Sequence, residues 1–278
     1  MIYDSLFKSI FAMGIFFLML TMYFNITKQL SDDKVSTNFL PLLEGQTEIY
    51  DEKIARIDNL KELKEFVNSE ILQNNIEGID IPIYIDDIIR KKYFHHTSYI
   101  SVESNWILKV FDYLFPEFLF TTAMNPKDLA KKNHGICSQQ AIMFQELVKD
   151  HEFEYASIGF SVKNPNGINF GHFASAVKID ESWFYFDSNM EPDYDRRDAS
   201  IITKILNANK SLLKELYPEY NFDLLTKDMI EFRDLNTFPA KRGVLFQDLT
   251  QFLSNFLWAF LFLLALLLKA FNLKARKK

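Results

Sequence analysis

The sequence predicts an α+β domain with an antiparallel sheet, flanked by two transmembrane helices. Three observations lead there. Ala141, Phe144, Leu147 and Val148 recur at helical spacing after a loop, with Ile142 and Met143 widening the stripe, which marks a buried helix. The segments Tyr155 to Val162, Phe170 to Ile179 and Trp183 to Asp187 read as strands separated by turn residues, so they should meander antiparallel. Near each terminus lies an uncharged, apolar stretch about as long as a bilayer core requires.

Along the chain, Ser9 to Ile26 is the first apolar stretch. A cleavable signal peptide would need small residues at its exit. This stretch leaves through Tyr23, Phe24, Asn25 and Ile26, so an uncleaved anchor is expected. Lys28 to Tyr50 is polar and reads as a linker. Asp51 to Leu72 reads as one amphipathic helix, with Ile54, Ile57, Leu60, Leu63 and Phe66 at three-residue steps. Pro82 suggests that Ile81 to Ile85 is extended, with Asp86 capping a short helix from Asp87 to Phe94 whose Arg90-Lys91-Lys92 run faces water. His95 and His96 have no third ligand at metal spacing. Glu103 to Trp106 opens an apolar helix, Ile107 to Leu114. Asn125 and Pro126 have the residue types of an N-cap and first helical position.

After the strands, Ile201 to Leu216 reads as one amphipathic helix stopped by Pro218. Leu224 to Phe232 reads as another short helix, and both are expected to close the face away from the catalytic cleft or to pack towards the bilayer. Phe252 to Leu268 is the second apolar stretch, followed by a basic tail. The expected organisation is therefore a transmembrane helix at 9–26 and a helical linker with the first part of the extracytoplasmic domain at 27–124. A catalytic core with C-terminal helices follows at 125–250, then a second transmembrane helix at 252–268 and a cytoplasmic tail at 269–278. Basic residues beside a span stay in the cytoplasm, which places the tail there. Two spans then put both termini inside and the main domain outside.

Composition narrows the function. A net charge of −6 excludes nucleic acid as a partner, which needs a basic face. The single cysteine excludes an internal disulfide framework and thiolate zinc sites. That cysteine, Cys137, falls in the first turn of the apolar helix, where unpaired N–H groups favour a thiolate. His172 stands near the start of a strand, and Asp187 ends the strand after it. On a two-residue period His172, Ala174 and Ala176 share a face, and Asp187 can lie beside His172. A nucleophile, a base and an orienting acid in this order suit thiol acyl transfer.

Gly135-x-Cys137 before an apolar helix, then Gly171-His172 on a strand, then Trp183-x-x-x-Asp187, resembles the transglutaminase-like superfamily of cysteine enzymes, with its papain-like fold. Cys137-Ser138-Gln139-Gln140 and Asp187-Ser188-Asn189-Met190-Glu191-Pro192 resemble a membrane-associated bacterial branch. The resemblance implies Cys137, His172 and Asp187 as the catalytic triad. It also implies an upstream oxyanion donor, for which Asn105 and Trp106 are candidates beside the Cys137 N–H. Some members use calcium, and the acidic loop Asp193 to Asp198 has oxygen ligands at alternate positions. Arg196 and Arg197 between those acids argue against a cation, so no metal and no cofactor is expected. The expected activity is that of a membrane-anchored peptidase or amidase, or a transglutaminase, with hydrolysis favoured because water is always present. The expected partners are a protein or peptide substrate and the membrane. The rival reading is a binding or assembly module of an envelope or polysaccharide machine on the same fold.

Overall fold

The computed structural model describes residues 2–30, 49–163, 169–189, 194–218 and 220–275. Residues 31–48, which make up most of the expected linker, and residues 164–168, 190–193, 219 and 276–278 lie outside them. The helices are α1 (Ile2–Leu30), α2 (Glu52–Ala55), α3 (Leu60–Gln73), α4 (Asp80–Lys92), α5 (Trp106–Leu114), α6 (Pro126–Leu129), α7 (Cys137–Val148), α8 (Ser200–Leu206), α9 (Lys210–Leu216) and α10 (Lys241–Ala275). The strands are β1 (Glu154–Lys163), β2 (Asn169–Ile179), β3 (Ser182–Phe186) and β4 (Ile230–Arg233). They divide into a helical unit, made of the two terminal helices and residues 99–122, and an α+β unit holding the rest.

In the helical unit, α1 and α10 run antiparallel. Phe11 packs on Phe262, the Thr21 hydroxyl donates to the Ser254 carbonyl, and Lys269 stands over the Phe7 ring. Gly14 permits the close approach, since a Cβ there would stand 2.6 Å from the Phe262 ring. Both helices are long and apolar enough to cross a membrane, over Ser5–Lys28 and Lys241–Leu273. Most of their large apolar side chains, among them Phe16, Met19, Leu263 and Leu266, are exposed, unlike those of a core helix. α5 is tied to α10 by a buried network. Asn105 caps α5 by accepting from the Leu108 N–H, while its amide nitrogen donates to the Thr250 hydroxyl and the Gln247 carbonyl. Ser254 donates to the Asn105 side-chain oxygen, which explains why a serine interrupts the apolar run.

In the α+β unit, the antiparallel sheet has the order β3-β2-β1-β4. β1 and β2 pair as expected, with Ala156 opposite Ala176 and Phe160 opposite His172. α7 covers one face. Its Phe144 stacks on Phe186, and its buried Gln145 donates to the hydroxyls of Ser157 and Ser175. α8 and α9 cover the other, where Ile201, Ile202, Ile205, Leu213 and Leu216 pack with Ala156, Ile158, Ala174 and Ala176. Small alanines on the strands make room for the isoleucines and leucines of the helices.

Several elements differ from expectation. The single helix at 51–72 is two, α2 and α3, with Asn59 capping the second. The extended segment at 81–85 is helical, because Pro82 falls in the first turn of α4, where its missing N–H costs nothing. Asp86 is therefore no cap. It is fully buried, forms an ion pair with Arg90 at 3.1 Å, and accepts from Arg196 and Ser188. The expected wet face is largely internal: Arg90 is buried, and Lys92 inserts fully to donate to the Ile57 carbonyl at 2.6 Å. The helix expected at 201–216 breaks at Ala208, whose φ is +54°, and Asn209 caps α9 anew. Residues 224–232 do not form a helix. A 3₁₀ turn, Lys227–Met229, leads into β4, which pairs with β1.

Candidate active site

Cys137 is the first residue of α7. The approach to it is set by several pairings. The Gly135 N–H donates to the Phe94 carbonyl, and the Phe94 N–H to the Asn133 carbonyl. Gln139 then locks the helix start. Its side-chain oxygen accepts from the N–H groups of Ile136 and Ser98, and its amide donates to the carbonyls of Ser98 and Ala123. One buried amide thus replaces the side-chain cap that Ile136 cannot supply.

His172 lies on β2 with its ring buried against Phe160 and Tyr217. Its Nε2 is 2.7 Å from Asp187 Oδ2, and the Cys137 sulfur lies near enough to raise its pKa. With Nε2 on the carboxylate, Nδ1 is left for the sulfur. The three residues expected to act together are therefore brought together. Asp187 stands just past the end of β3 and is itself closely held. The Tyr217 hydroxyl donates to Oδ2 at 2.7 Å, the Asn189 N–H donates to Oδ1, and Arg90 donates to the Asp187 carbonyl at 2.8 Å. The next residue, Ser188, donates to Asp86, so the Asp86–Arg90–Arg196 ion group anchors both sides of the peptide that carries the acid. Tyr217 also shares a hydrogen bond with Tyr185. Burial pushes both phenols well up, so they remain protonated donors.

Burial alone would push the His172 imidazolium down, but the Asp187 carboxylate and the Cys137 sulfur outweigh it and raise the pKa to about 10. Asp187 shows the mirror image. Burial favours its neutral form, yet the His172 charge and the bonds from His172, Tyr217 and Asn189 hold the pKa below the ordinary value. The sign for stability follows. His172 contributes stability that is fully present below pH of about 6.5 and lost as pH rises through about 10, while the contribution of Asp187 is lost in acid.

A cleft of about 350 Å³ opens over the pair, lined by Ile136, Cys137, Ser138, Phe160, His172, Phe173, Met229, Glu231 and Arg233 among others. Gly159 and Gly171 form part of its wall, and a Cβ at either would meet no atom within 4 Å. Met229 and Glu231 come from the segment expected to close the opposite face or to pack towards the bilayer, and Arg233 follows it directly. They line the cleft instead, because β4 pairs with β1 beside it.

Asn105 and Trp106 belong to the helical unit, where the Asn105 amide is committed to α10 and the Trp106 Nε1 donates to the Ser254 carbonyl. Neither is among the described residues that line the cleft. In the sequence His95 stands out only as half of a histidine pair. It lies near enough to feel the charges of both His172 and Asp187, with the Asn189 side chain beside it. Burial, with a smaller contribution from the cation on His172, lowers its pKa, so His95 is neutral at pH 7. His96 packs edge-on against His134. Arg196 and Arg197 of the acidic loop reach Asp86, Asp87 and Asp80, which accounts for both cations in that loop. Among the described residues no group of three His, Cys, Asp or Glu side chains could hold a metal.

Residues 58–206, more than half of the chain, match a family model described as a transglutaminase-like domain. No curated protein and no solved structure matches the chain.

Proposed function

Because the chain belongs to the transglutaminase-like family, we propose that it is a membrane-anchored cysteine enzyme that opens amide bonds through a thioester on Cys137. The observation that carries this reading is one imidazole, His172, bonded to a buried carboxylate at 2.7 Å and lining the same cleft as a thiol at the start of a helix. The Cys137 sulfur adds to the substrate carbonyl carbon, and charge moves onto the carbonyl oxygen. The backbone N–H of Cys137 is the donor the helix start offers that oxygen. The His172 imidazolium then gives its proton to the departing amine as the C–N bond breaks. Water attacks the thioester, His172 takes a proton from it, and the acid leaves as the sulfur is released. Asp187, held by Tyr217 and Arg90, keeps the ring oriented through both halves. An amine in place of water would give transamidation by the same steps. Hydrolysis is proposed because it needs no second organic substrate.

Mass spectrometry of Cys137 peptides from acid-quenched native membranes tests this. An acyl adduct on Cys137 is expected. An unmodified thiol, in protein whose Cys137 also reacts no faster than free cysteine, would favour a non-catalytic binding or assembly module.

The proposed site of action is the outer side of the cytoplasmic membrane, with α1 and α10 as spans. Their antiparallel packing implies that both termini share one side, and the basic tail assigns that side to the cytoplasm. A reporter fused after Lys278 should therefore be active only in the cytoplasm, and protease added outside should cut between Thr27 and Thr250. Full protection of that region in right-side-out vesicles would overturn the placement.

A further inference from the structure

The helical unit carries an apolar surface that the two spans do not account for. α5 and its cap turn Asn105, Leu108 and Phe111 inward and leave Val110, Tyr113 and Leu114 outward, and Phe115, Phe118 and Leu119 of the turn that follows are also exposed. Tyr113 is 84% exposed and Phe118 62%, so this is a contiguous aromatic and aliphatic patch rather than the edge of a core. Of the nearby charges, Lys109 pairs with Asp112 at 3.3 Å, the Asp112 carboxylate also accepts from the Thr121 hydroxyl, and Glu117 is exposed to solvent.

The height of this patch along the spans is fixed at both ends. Trp106 opens α5 by donating to the Ser254 carbonyl and stacking on Phe17, while the segment returns at Phe120, whose carbonyl accepts from Gln247. Ser254 lies just inside the apolar run that starts at Phe252, and Phe246 packs on both Phe111 and Phe120. At 1.5 Å per residue, the step from Ser254 to Phe246 is about 12 Å. The bonded residues therefore bracket the boundary of the hydrocarbon, where the headgroup zone is roughly 5–8 Å deep on each face. On α1 the exposed Met22, Tyr23 and Ile26 continue past Thr21 at this same level.

We infer that residues 106–120 form a third membrane element, which does not cross but lies in the interface with Tyr113, Phe115, Phe118 and Leu119 among the lipid headgroups and upper acyl chains. Aromatic residues at this depth and an amphipathic helix with one wet edge are what that zone selects. The inference rests on the proposed membrane placement of α1 and α10, and the experiment separates the two.

Cys137→Ser removes the chain's one cysteine. In that background, single cysteines at Tyr113, Leu119, Leu264 and Leu72 are labelled with a polarity-sensitive fluorophore. Each full-length protein is reconstituted in phosphatidylcholine–phosphatidylglycerol vesicles. Phe118→Cys replaces either α5-region variant that fails to fold. Labels at 113 and 119 should be quenched by lipids carrying a shallow nitroxide and should resist aqueous iodide several-fold better than the label at Leu72, an exposed position on α3. The label at 264 should respond to a deep nitroxide. Iodide quenching at 113 and 119 equal to that at 72, with 264 still lipid-quenched, overturns the inference and leaves the spans intact. Loss of lipid quenching at 264 overturns the membrane placement itself. Protection of 113 and 119 from both quenchers would mean that protein covers the patch, and this also overturns the inference.

Discussion

Replacing Asp187 with asparagine is expected to slow acylation of Cys137 by on the order of ten-thousand-fold while the domain stays folded. The new side chain keeps one acceptor for the Asn189 N–H, and the Arg90 bond goes to the backbone, which the substitution does not alter. The atom lost is Oδ2, where His172 Nε2 and the Tyr217 hydroxyl converge. An amide nitrogen there repels the Nε2 proton and favours the other tautomer, which turns a donor rather than a lone pair towards the substrate side. It also removes the charge that outweighs the desolvation of the imidazolium. Acylation by a small activated ester, followed by mass spectrometry, measures the effect, and a cooperative melt confirms folding. Near wild-type acylation by a folded Asp187→Asn protein would remove Asp187 from the mechanism.

The second large effect is on the thiol. A free cysteine has a pKa of about 8.5, so only about 0.3% is thiolate at pH 6. His172 carries its proton up to a pH of about 10, and that cation faces the sulfur. A sulfur paired with that cation should react with iodoacetamide faster than free cysteine at pH 6, and the ratio of the two rates measures the pairing. His172→Ala should abolish most of this advantage. The part that survives belongs to the helix N-terminus, worth only about 0.3–1 kcal/mol at an exposed site. A wild-type rate that matches free cysteine, unchanged in a folded His172→Ala protein, would show that the two do not work as a pair.

The residues that can be read from sequence are those whose partners are local or periodic. Cys137 at a helix start, the pairing of β1 with β2, and Asn125 capping α6 all follow from short-range rules. Asp187 beside His172 follows from strand periodicity across a tight turn. What sequence conceals depends on distant partners. Lys92 reads as a wet lysine until the carbonyls of Ala55 and Ile57 surround it, and Arg90 until it meets Asp187. Tyr217, thirty residues after Asp187, carries no local sign that its hydroxyl completes the site. β4 escapes a sequence reading because four residues pairing only at the sheet edge give too short an alternation to distinguish strand from helix. Pro82 misleads because proline is disruptive inside a helix and harmless in the first turn.

The late position of Tyr217 and β4 in the chain has a consequence for biosynthesis. A ribosome delivers Cys137 first, then His172 and Asp187, and only afterwards the tyrosine that holds the acid and the strand that walls the cleft. Throughout that interval Cys137 belongs to an unfinished domain whose β1 edge is open. α10 begins soon after β4, at Lys241, so the last wall of the cleft and the second apolar helix emerge almost together. Cys137 therefore acquires its full surroundings only as the second apolar helix emerges.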